Sequence, residues 1–264
     1  MEPLRKVKIN NLFARSVIEN HVSGKVYADQ IEHPTTFYVV HPYGISLLFG
    51  ESNNLDFNHS FREYALNANK TRDKYEWMQG FPKDWNVFLC DLFAGNLINH
   101  SDAIATNDPE KIEINTRVNF KFNVNTYLNL KKKNIPANSR IVRTNKEIFN
   151  HKSGSVIPYY FWDKADDFYK NGVGFSLLHE NNLASTAFSS FIHENQLEIG
   201  IETLETYRGK GFAQLVCSAF IDYCIENKYE PIWSCKLENS ASYQLAQLLG
   251  FEPILTIPFY RLSK

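Results

Sequence analysis

The fold is decided by residues 203–213, Thr-Leu-Glu-Thr-Tyr-Arg-Gly-Lys-Gly-Phe-Ala, in which a strand ends, a glycine-containing turn follows and a helix begins. From Phe212 to about Glu226, polar residues recur at every fourth position and the others are mostly apolar. This pattern is typical of a helix that buries most of its surface against a sheet. The next apolar segment, Pro231–Lys236, indicates another strand. A strand–turn–helix–strand unit of this length predicts two locally parallel strands.

The turn between strand and helix has the composition of a phosphate site. Gly209 and Gly211 carry no side chains that would keep an anion away from the backbone. The first turn of a helix has backbone N–H groups without partners, and the helix dipole adds partial positive charge there. Arg208 and Lys210 add full positive charges. We therefore expect a diphosphate to bind here, although a glycine turn that only packs a helix on a strand would have a similar sequence.

The surroundings of this loop exclude two nucleotide-binding folds. The spacing is not Gly-x-x-x-x-Gly-Lys-Ser/Thr, as in P-loop proteins, and the third glycine of a dinucleotide fold is missing. The preceding sequence also predicts three antiparallel strands, because Asn-containing turns separate short apolar and β-branched segments at Val173–Leu178, Leu183–Ile192 and Gln196–Thr203.

The first half of the chain, residues 1–130, is expected to be an α+β domain of unknown role, since it has no catalytic motif that we can identify. Its predicted strands and helices are Gly24–Ala28, Thr35–Val40, Ile45–Gly50, Ser60–Asn67, Trp85–Phe93 and a strand over residues 111–130. Residues 131–138 are polar, contain a proline and are predicted to be a linker before a second domain at 139–264. The lysine run at residues 131–133 could bind phosphate. Lysine runs are more commonly solvated surface segments, and this is our interpretation.

Composition narrows the class of protein and its location. The chain has 264 residues, 44% of them hydrophobic, which is enough for a packed core. With 28 basic and 29 acidic residues the net charge is −1, so we expect neither nucleic acid nor a membrane surface as a partner. Neither a membrane span nor a secretory signal is visible, which predicts a cytoplasmic protein. The 4 cysteines lack Cys-x-x-Cys spacing, and no metal site is predicted.

Two motifs resemble those of the GNAT superfamily of acyl-CoA-dependent N-acyltransferases. Arg208-x-x-Gly211-x-Ala213 is similar to its diphosphate motif, Gln/Arg-x-x-Gly-x-Gly/Ala. Residues 239–251, Asn-Ser-Ala-Ser-Tyr-Gln-Leu-Ala-Gln-Leu-Leu-Gly-Phe, are similar to a superfamily helix that begins with Asn-x-x-Ala/Ser and ends at Gly-Phe.

The resemblance covers about half of the chain. The predicted order of elements over residues 141–262 is similar to the GNAT order, and residues 198–213 resemble a bacterial subgroup with its own N-terminal extension. The resemblance therefore implies an α/β (α+β) fold. In it a C-terminal GNAT domain with a mixed, mostly antiparallel sheet follows an α+β N-terminal domain.

By this resemblance acetyl-CoA is the co-substrate, and it lies between the strands that end near Thr203 and begin near Ile232. The backbones of Ile201 and Thr203 would pair with the pantetheine amides. Asn239 and Ser242 would lie near the thiol end. The diphosphate would be bound by Arg208, Gly209, Lys210, Gly211, Phe212 and Ala213.

The reaction that the resemblance implies is direct attack on the thioester by a primary amine of a small molecule or a peptide. It needs a deprotonated amine and a proton for the leaving thiolate. Glu198 and Glu202 lie four residues apart on one strand, hence on one face, and are candidate bases; hydrogen bonds to a neighbouring strand or to solvent are the structural alternative. The superfamily often places its acid, a Tyr, where this chain has Ala246. Tyr243, one turn earlier, is the candidate acid, with simple packing as the alternative.

Two other functions stay open at this point. Ala246 would suit a protein that binds or senses acyl-CoA without turnover. An interaction protein that uses the N-terminal half, with the GNAT half as a scaffold, is the other alternative. A homodimer is compatible with both and with the enzyme.

Overall fold

The computed structural model describes residues 2–106, 108, 110–131 and 133–264. Met1, Asn107, Pro109 and Lys132 lie outside this description, and Lys132 belongs to the predicted linker. The helices are α1 Glu2–Arg5, α2 Leu12–Ile18, α3 Leu55–Ala65, α4 Asp84–Leu92, α5 His100–Thr106, α6 Val124–Leu128, α7 Lys146–Phe149, α8 Ala165–Asn171, α9 Phe212–Glu226 and α10 Ser240–Leu248. The strands are β1 Lys25–Ala28, β2 Thr36–Val40, β3 Ile45–Gly50, β4 Glu76–Phe81, β5 Leu97–Asn99, β6 Ile112–Phe122, β7 Ser139–Arg143, β8 Gly174–His179, β9 Asn182–His193, β10 Gln196–Thr203, β11 Glu230–Ile232, β12 Ser234–Lys236 and β13 Phe251–Leu262.

A five-stranded sheet with the order β11-β10-β9-β8-β7 carries the predicted diphosphate loop. Strands β7 to β10 pair antiparallel with their neighbours, and β11 pairs parallel with β10. Helix α9 connects β10 to β11 and packs on this sheet, where Val216, Phe220 and Ile221 are fully buried. The predicted α/β (α+β) fold with a mixed, mostly antiparallel sheet is confirmed.

A second sheet, eight-stranded within the described residues, has the order β1-β2-β3-β4-β13-β6-β12, with β5 beside β6. It combines strands from the first half of the chain with β12 and β13 from its end. Strand β13 pairs with β4 through Tyr260, Arg261 and Leu262. The last strand of the chain is therefore part of the same sheet as the first strands.

Two strands that were predicted from the sequence differ from the structure. The strand predicted over residues 111–130 ends at Phe122, because the side chain of Asn123 accepts a hydrogen bond from the N–H of Thr126 and so caps α6. The strand predicted at Pro231–Lys236 is two short strands, β11 and β12, on either side of Trp233. Their partners differ: β11 pairs with β10, and β12 with β6.

The chain groups into two compact units. Unit 1 is Met1–Asn119, Cys235–Asn239 and Leu255–Lys264, and unit 2 is Phe120–Ser234 and Ser240–Ile254. The predicted division into a domain at 1–130, a linker at 131–138 and a GNAT domain at 139–264 stays a prediction, since spatial grouping does not show which segments fold independently.

The apolar core of unit 1 encloses an acidic side chain. Helices α3 and α4 cover one face of the eight-stranded sheet, where Trp85, Leu89 and Met78 are fully buried. Beside them Glu76 is 3% exposed, and its two carboxyl oxygens accept hydrogen bonds from the hydroxyl groups of two tyrosines, Tyr38 and Tyr64. Burial raises the pKa of Glu76 from its ordinary value of 4.5 to about 8, although the positive charge of Lys25 acts to lower this pKa.

Replacing Glu76 should therefore change how stability depends on pH. Because its pKa is higher in the folded than in the unfolded state, the stability that Glu76 contributes is fully present below its unfolded pKa and is lost as the pH rises through about 8. The loss has an upper bound of about 1.4 kcal/mol per pH unit. We expect Glu76→Gln, which cannot ionise, to flatten the fall in the free energy of unfolding between pH 5 and 8.

Urea unfolding at several pH values measures this effect. The exposed Glu51→Gln is the matched control and should follow the unchanged protein. Parallel curves for Glu76→Gln and the unchanged protein would show that Glu76 does not titrate in this range in the folded state.

Candidate functional site

The loop before α9 presents bare backbone at the start of a long helix. Gly211 precedes the helix with φ 80° and ψ 9°, and Gly209 has φ 76°, both in the left-handed region that favours glycine. No described side chain caps this helix. A Cβ added at Gly209 would meet no atom within 4 Å, so the loop has open space beside it. The backbone N–H groups of the first turn are therefore accessible to an anion.

Among the described residues, three basic side chains lie beside this loop. Arg208 is 64% exposed, and its Nε donates to the C=O of Thr203 at 3.2 Å. The Nζ of Lys210 lies 5.1 Å from the centre of the Tyr207 ring. The Nζ of Lys133 lies only 3.0 Å from the position that a Cβ of Gly211 would occupy. The sequence predicted the first two charges at the loop but not the third.

Lys133 is the main residue that sequence analysis missed. Lys133 is exposed, as expected for a solvated surface segment, and its amine also approaches Gly211, 78 positions later in the chain. The signal was present in the run of three lysines at residues 131–133, for which phosphate binding was the alternative. Only the fold shows that Lys133 lies near the loop.

The edge of β10 next to the loop is open at its end. Among the described residues β11 pairs with only the first part of β10, Gln196 to Glu198, whereas β9 pairs with β10 as far as Thr203. The N–H of Leu204 donates to the C=O of Ala184 on the β9 side. By strand alternation, the N–H and C=O groups of Ile201 and Thr203 point to the opposite, open side. Their pairing with pantetheine stays a prediction, and this orientation favours it.

Glu202 connects the loop to a neighbouring segment. Its Oε2 accepts hydrogen bonds from the N–H groups of Ser155, at 2.7 Å, and Val156, at 3.0 Å. Its Oε1 lies 3.5 Å from a terminal nitrogen of Arg208. Gly154 passes so close that a Cβ there would lie 2.6 Å from Cγ of Glu202. These contacts suit a residue that positions Arg208, and its role as a base stays a prediction.

Glu198 lies where β10 and β11 separate. Its partner in β11 is Ile232, the last residue of that strand. The side chain is 4% exposed, and its Oε1 accepts a hydrogen bond from the Oγ of Ser234 at 2.7 Å. A carboxylate at this point can accept a proton from a group that reaches the separation of the strands. Of the two predicted bases, Glu198 therefore has the position that fits better.

Helix α10 contains the second motif and begins directly after Asn239. The ring of Tyr243 packs against Phe120 in an edge-on arrangement, with 5.4 Å between ring centres. Ala246, at the position of the usual acid, is fully buried. Tyr243 therefore makes the packing contact that was the alternative to its role as an acid. Its role as an acid, and the predicted positions of Asn239 and Ser242 near the cofactor thiol, stay predictions.

Other chemistry finds little support in the described part of the chain. Burial raises the pKa of Cys217, and raises that of Cys224 to about 12, so neither thiol is a ready nucleophile near neutral pH. No cluster of His, Cys, Asp or Glu side chains suited to a metal ion occurs among the described residues. In the same residues no helix combines the length and the apolar composition of a membrane span.

A sequence model of the family described as GNAT acetyltransferase matches residues 3–260 of the chain. Among curated proteins, "Uncharacterized N-acetyltransferase YdfB" of Bacillus subtilis (strain 168) is 28% identical over 250 residues, which cover 94% of this chain and 89% of the relative. The match extends through the N-terminal half, where the sequence itself showed no motif.

Solved structures share this fold over nearly the whole chain. A GCN5-related N-acetyltransferase-like protein from Streptococcus suis 89/1591 is similar with a TM-score of 0.70, 17% identity, and coverage of 97% of this chain and 94% of that one. A GCN5-related N-acetyltransferase from Kribbella flavida is similar with a TM-score of 0.56, 12% identity, and coverage of 95% and 94%. At these identities the likeness concerns the fold.

Proposed function

Because the chain belongs to the GNAT acetyltransferase family, we propose that it transfers an acetyl group from acetyl-CoA to a primary amine by direct attack. In this reaction the amine nitrogen forms a bond to the thioester carbonyl carbon, the carbon–sulfur bond breaks, and the thiolate takes up a proton. The proposal includes a cytoplasmic location and an acceptor that is a small molecule or a peptide. It includes neither nucleic acid nor a membrane as a partner.

The observation that carries the proposal is the loop before α9. Two glycines in the left-handed region leave the first turn of the helix bare, and Arg208, Lys210 and Lys133 surround it. A diphosphate carries negative charge that bare N–H groups and three cations would stabilise. Because the open edge of β10 begins directly before this loop, an extended chain bound at the loop could pair with that edge.

Each predicted residue has a role in this proposal. Ile201 and Thr203 pair with the pantetheine amides, and Asn239 and Ser242 lie near its thiol end. The diphosphate is bound by Arg208, Gly209, Lys210, Gly211, Phe212 and Ala213, with Lys133 added from the structure.

The proton transfers need two further groups. Glu198 accepts the proton of the amine, and Glu202 positions Arg208 rather than acting on the amine. Tyr243 is the candidate donor to the thiolate; since its ring packs on Phe120, water is the alternative donor.

A CoA-release assay with acetyl-CoA and a panel of amines tests the proposal. Thiol appearance that depends on both the amine and the protein supports it. Calorimetric binding of acetyl-CoA without thiol release from any amine would instead support the second candidate, an acyl-CoA sensor. That candidate is favoured by one observation, the fully buried Ala246 at the place of the usual acid.

Removing the third cation should weaken cofactor binding. We expect Lys133→Ala to lower the affinity for acetyl-CoA about fivefold, since one exposed charge near a phosphate is worth about 1 kcal/mol. The difference in affinity between Lys133→Ala and the unchanged protein should shrink in high salt, because screening weakens the interactions of exposed charges. Calorimetry at low and high salt measures it, and Lys131→Ala, an exposed lysine of the same run, is the control. An equal effect of the two variants would contradict a specific role for Lys133.

A further inference from the structure

Unit 1 has an open cleft of its own, which we call the tyrosine cleft. It is lined by residues within 23–27, 40–44 and 71–76, together with Tyr64 of α3, all of which belong to unit 1. Its volume of about 630 Å³ is within the range of small-molecule sites. The loop before α9 belongs to unit 2, so the tyrosine cleft is no part of the proposed diphosphate site.

Aromatic rings form one part of the lining. Tyr27 of β1 is 40% exposed, and the centre of its ring lies 5.6 Å from that of Tyr64 and 6.2 Å from that of Tyr38. Tyr38 is buried and Tyr64 is half-buried, so both hold the exposed ring from behind. A ring that is fixed in this way offers apolar surface to a flat group at little cost in side-chain entropy.

Two positive charges of the tyrosine cleft have no acidic partner. The guanidinium of Arg72 donates to the C=O groups of Tyr64, at 3.0 Å, and Ala65, at 2.9 Å. Its Nε donates to the C=O of Ser263 at 2.9 Å. These acceptors are neutral, so they fix the guanidinium without compensating its charge. The exposed amine of Lys25 likewise forms no ion pair in the described part of the chain, and both charges can attract an anion.

A buried carboxyl group also lines the tyrosine cleft. Glu76 is 3% exposed, and since burial raises its pKa to about 8, it is mostly neutral at neutral pH. Burial also raises the pKa values of Tyr27 and Tyr64, so their hydroxyl groups stay protonated there. The titratable groups that face Glu76 among the described residues are Tyr27, Tyr38 and Tyr64, and the cations beside them are Lys25 and Arg72.

The charges of the lining indicate the charge of a ligand. Within the described lining, Lys25, Arg72 and Lys74 are basic, and Asp73 is the exposed acid. With Glu76 neutral the excess is two positive charges, and with Glu76 ionised it is still one. The tyrosine cleft therefore favours an anion near neutral pH, and favours it less once Glu76 ionises.

We propose that the tyrosine cleft is a second ligand site of this chain, and that it binds a small planar anion, an aromatic ring that carries a carboxylate or a phosphate. The ring packs on Tyr27 and Tyr64, and the charges of Lys25 and Arg72 hold the anionic group. Glu76 acts on the anion through its charge rather than by contact. The site is independent of the proposed acetyl transfer, because its residues take no part in that reaction.

Matched aromatic probes test this inference in NMR titrations of the full chain. The anions are 2-naphthoate and 2-naphthyl phosphate, and their neutral counterparts are 2-naphthamide and 2-naphthol. We expect at least one anion to move the backbone amide signals of residues 23–27 and 71–76 to saturation, and to bind at least fivefold more tightly than its counterpart. The anion that binds more tightly identifies the carboxylate or the phosphate. Absence of saturable shifts at these residues with both anions would overturn the inference.

Two lysine variants show whether the anion binds in the tyrosine cleft. Lys25→Met keeps a side chain of similar length without the charge, and should lower the affinity for the anion about fivefold without changing the thermal unfolding midpoint. Lys210→Met, at the exposed lysine of the loop before α9, is the control and should leave this affinity unchanged. If Lys210→Met weakens binding and Lys25→Met does not, the anion occupies the loop before α9 and the inference fails.

The pH dependence of binding tests the position of the anion relative to Glu76. Naphthoate stays ionised between pH 6.5 and 9, whereas Glu76 loses its proton as the pH rises through about 8. We expect the affinity for 2-naphthoate to fall about fivefold over this range, and to stay nearly constant in Glu76→Gln, which cannot ionise. An equal fall in both proteins would place the anion away from Glu76 and overturn the inference.

Discussion

Gly211→Glu is expected to lower the affinity for acetyl-CoA at least a hundredfold. A side chain at this position begins 3.0 Å from the Nζ of Lys133, so a glutamate would place its carboxylate against this cation and in the space of the diphosphate. A hundredfold loss is about 2.7 kcal/mol, which the loss of one charge-assisted contact plus like-charge repulsion can supply. Calorimetry with acetyl-CoA measures the change.

The control for this variant is Gly211→Ala. Both variants place a side chain at φ 80°, which costs about 1–2 kcal/mol of backbone strain in each. Alanine adds no charge, so it should bind acetyl-CoA better than glutamate does, with a similar thermal unfolding midpoint. An unchanged affinity in Gly211→Glu would count against the diphosphate site.

The second large effect is expected for Glu198→Gln. A general base contributes about 10²- to 10⁴-fold to a rate, so kcat should fall by about that factor while the KM for acetyl-CoA changes little. The difference from the unchanged enzyme should narrow at high pH, where more of the amine is already deprotonated. Steady-state kinetics between pH 6 and 10 measure both features.

Glu202→Gln is the matched comparison on the same strand. Since its carboxylate contacts Arg208 and the N–H groups of Ser155 and Val156, we expect it to raise the KM for acetyl-CoA more than it lowers kcat. If Glu202→Gln shows the large kcat loss and Glu198→Gln does not, the two roles are reversed.

Local patterns predicted the elements around the loop before α9 well. Helix α9 has the bounds Phe212–Glu226 that the polar spacing indicated, because its pattern and its glycine-containing start agree. Strands β8 to β10 also lie close to their predicted bounds, because Asn-containing turns separate them.

Long-range contacts account for what the sequence did not predict. The strand predicted at Pro231–Lys236 is interrupted at Trp233 because β11 and β12 pair with different strands from distant parts of the sequence. A continuous apolar segment gives no indication of that change of partner. The proximity of Lys133 to Gly211 and the hydrogen bonds from Ser155 and Val156 to Glu202 likewise arise from tertiary packing. The pairing of β13 with β4 has the same origin.

The N-terminal half shows the limit of motif-based reasoning most clearly. Its first strands were predicted from turn residues and β-branched patterns, yet no residue there indicated a family, although the family match extends over residues 3–260.

The most direct test of the account follows the backbone amide NMR signals of residues 209–213 during titration with CoA and, separately, with pantetheine, which lacks the diphosphate. The account predicts large shifts of the Gly211, Phe212 and Ala213 signals with CoA and small ones with pantetheine. Saturating CoA that leaves these three signals in place, while signals elsewhere in the chain move, would contradict it.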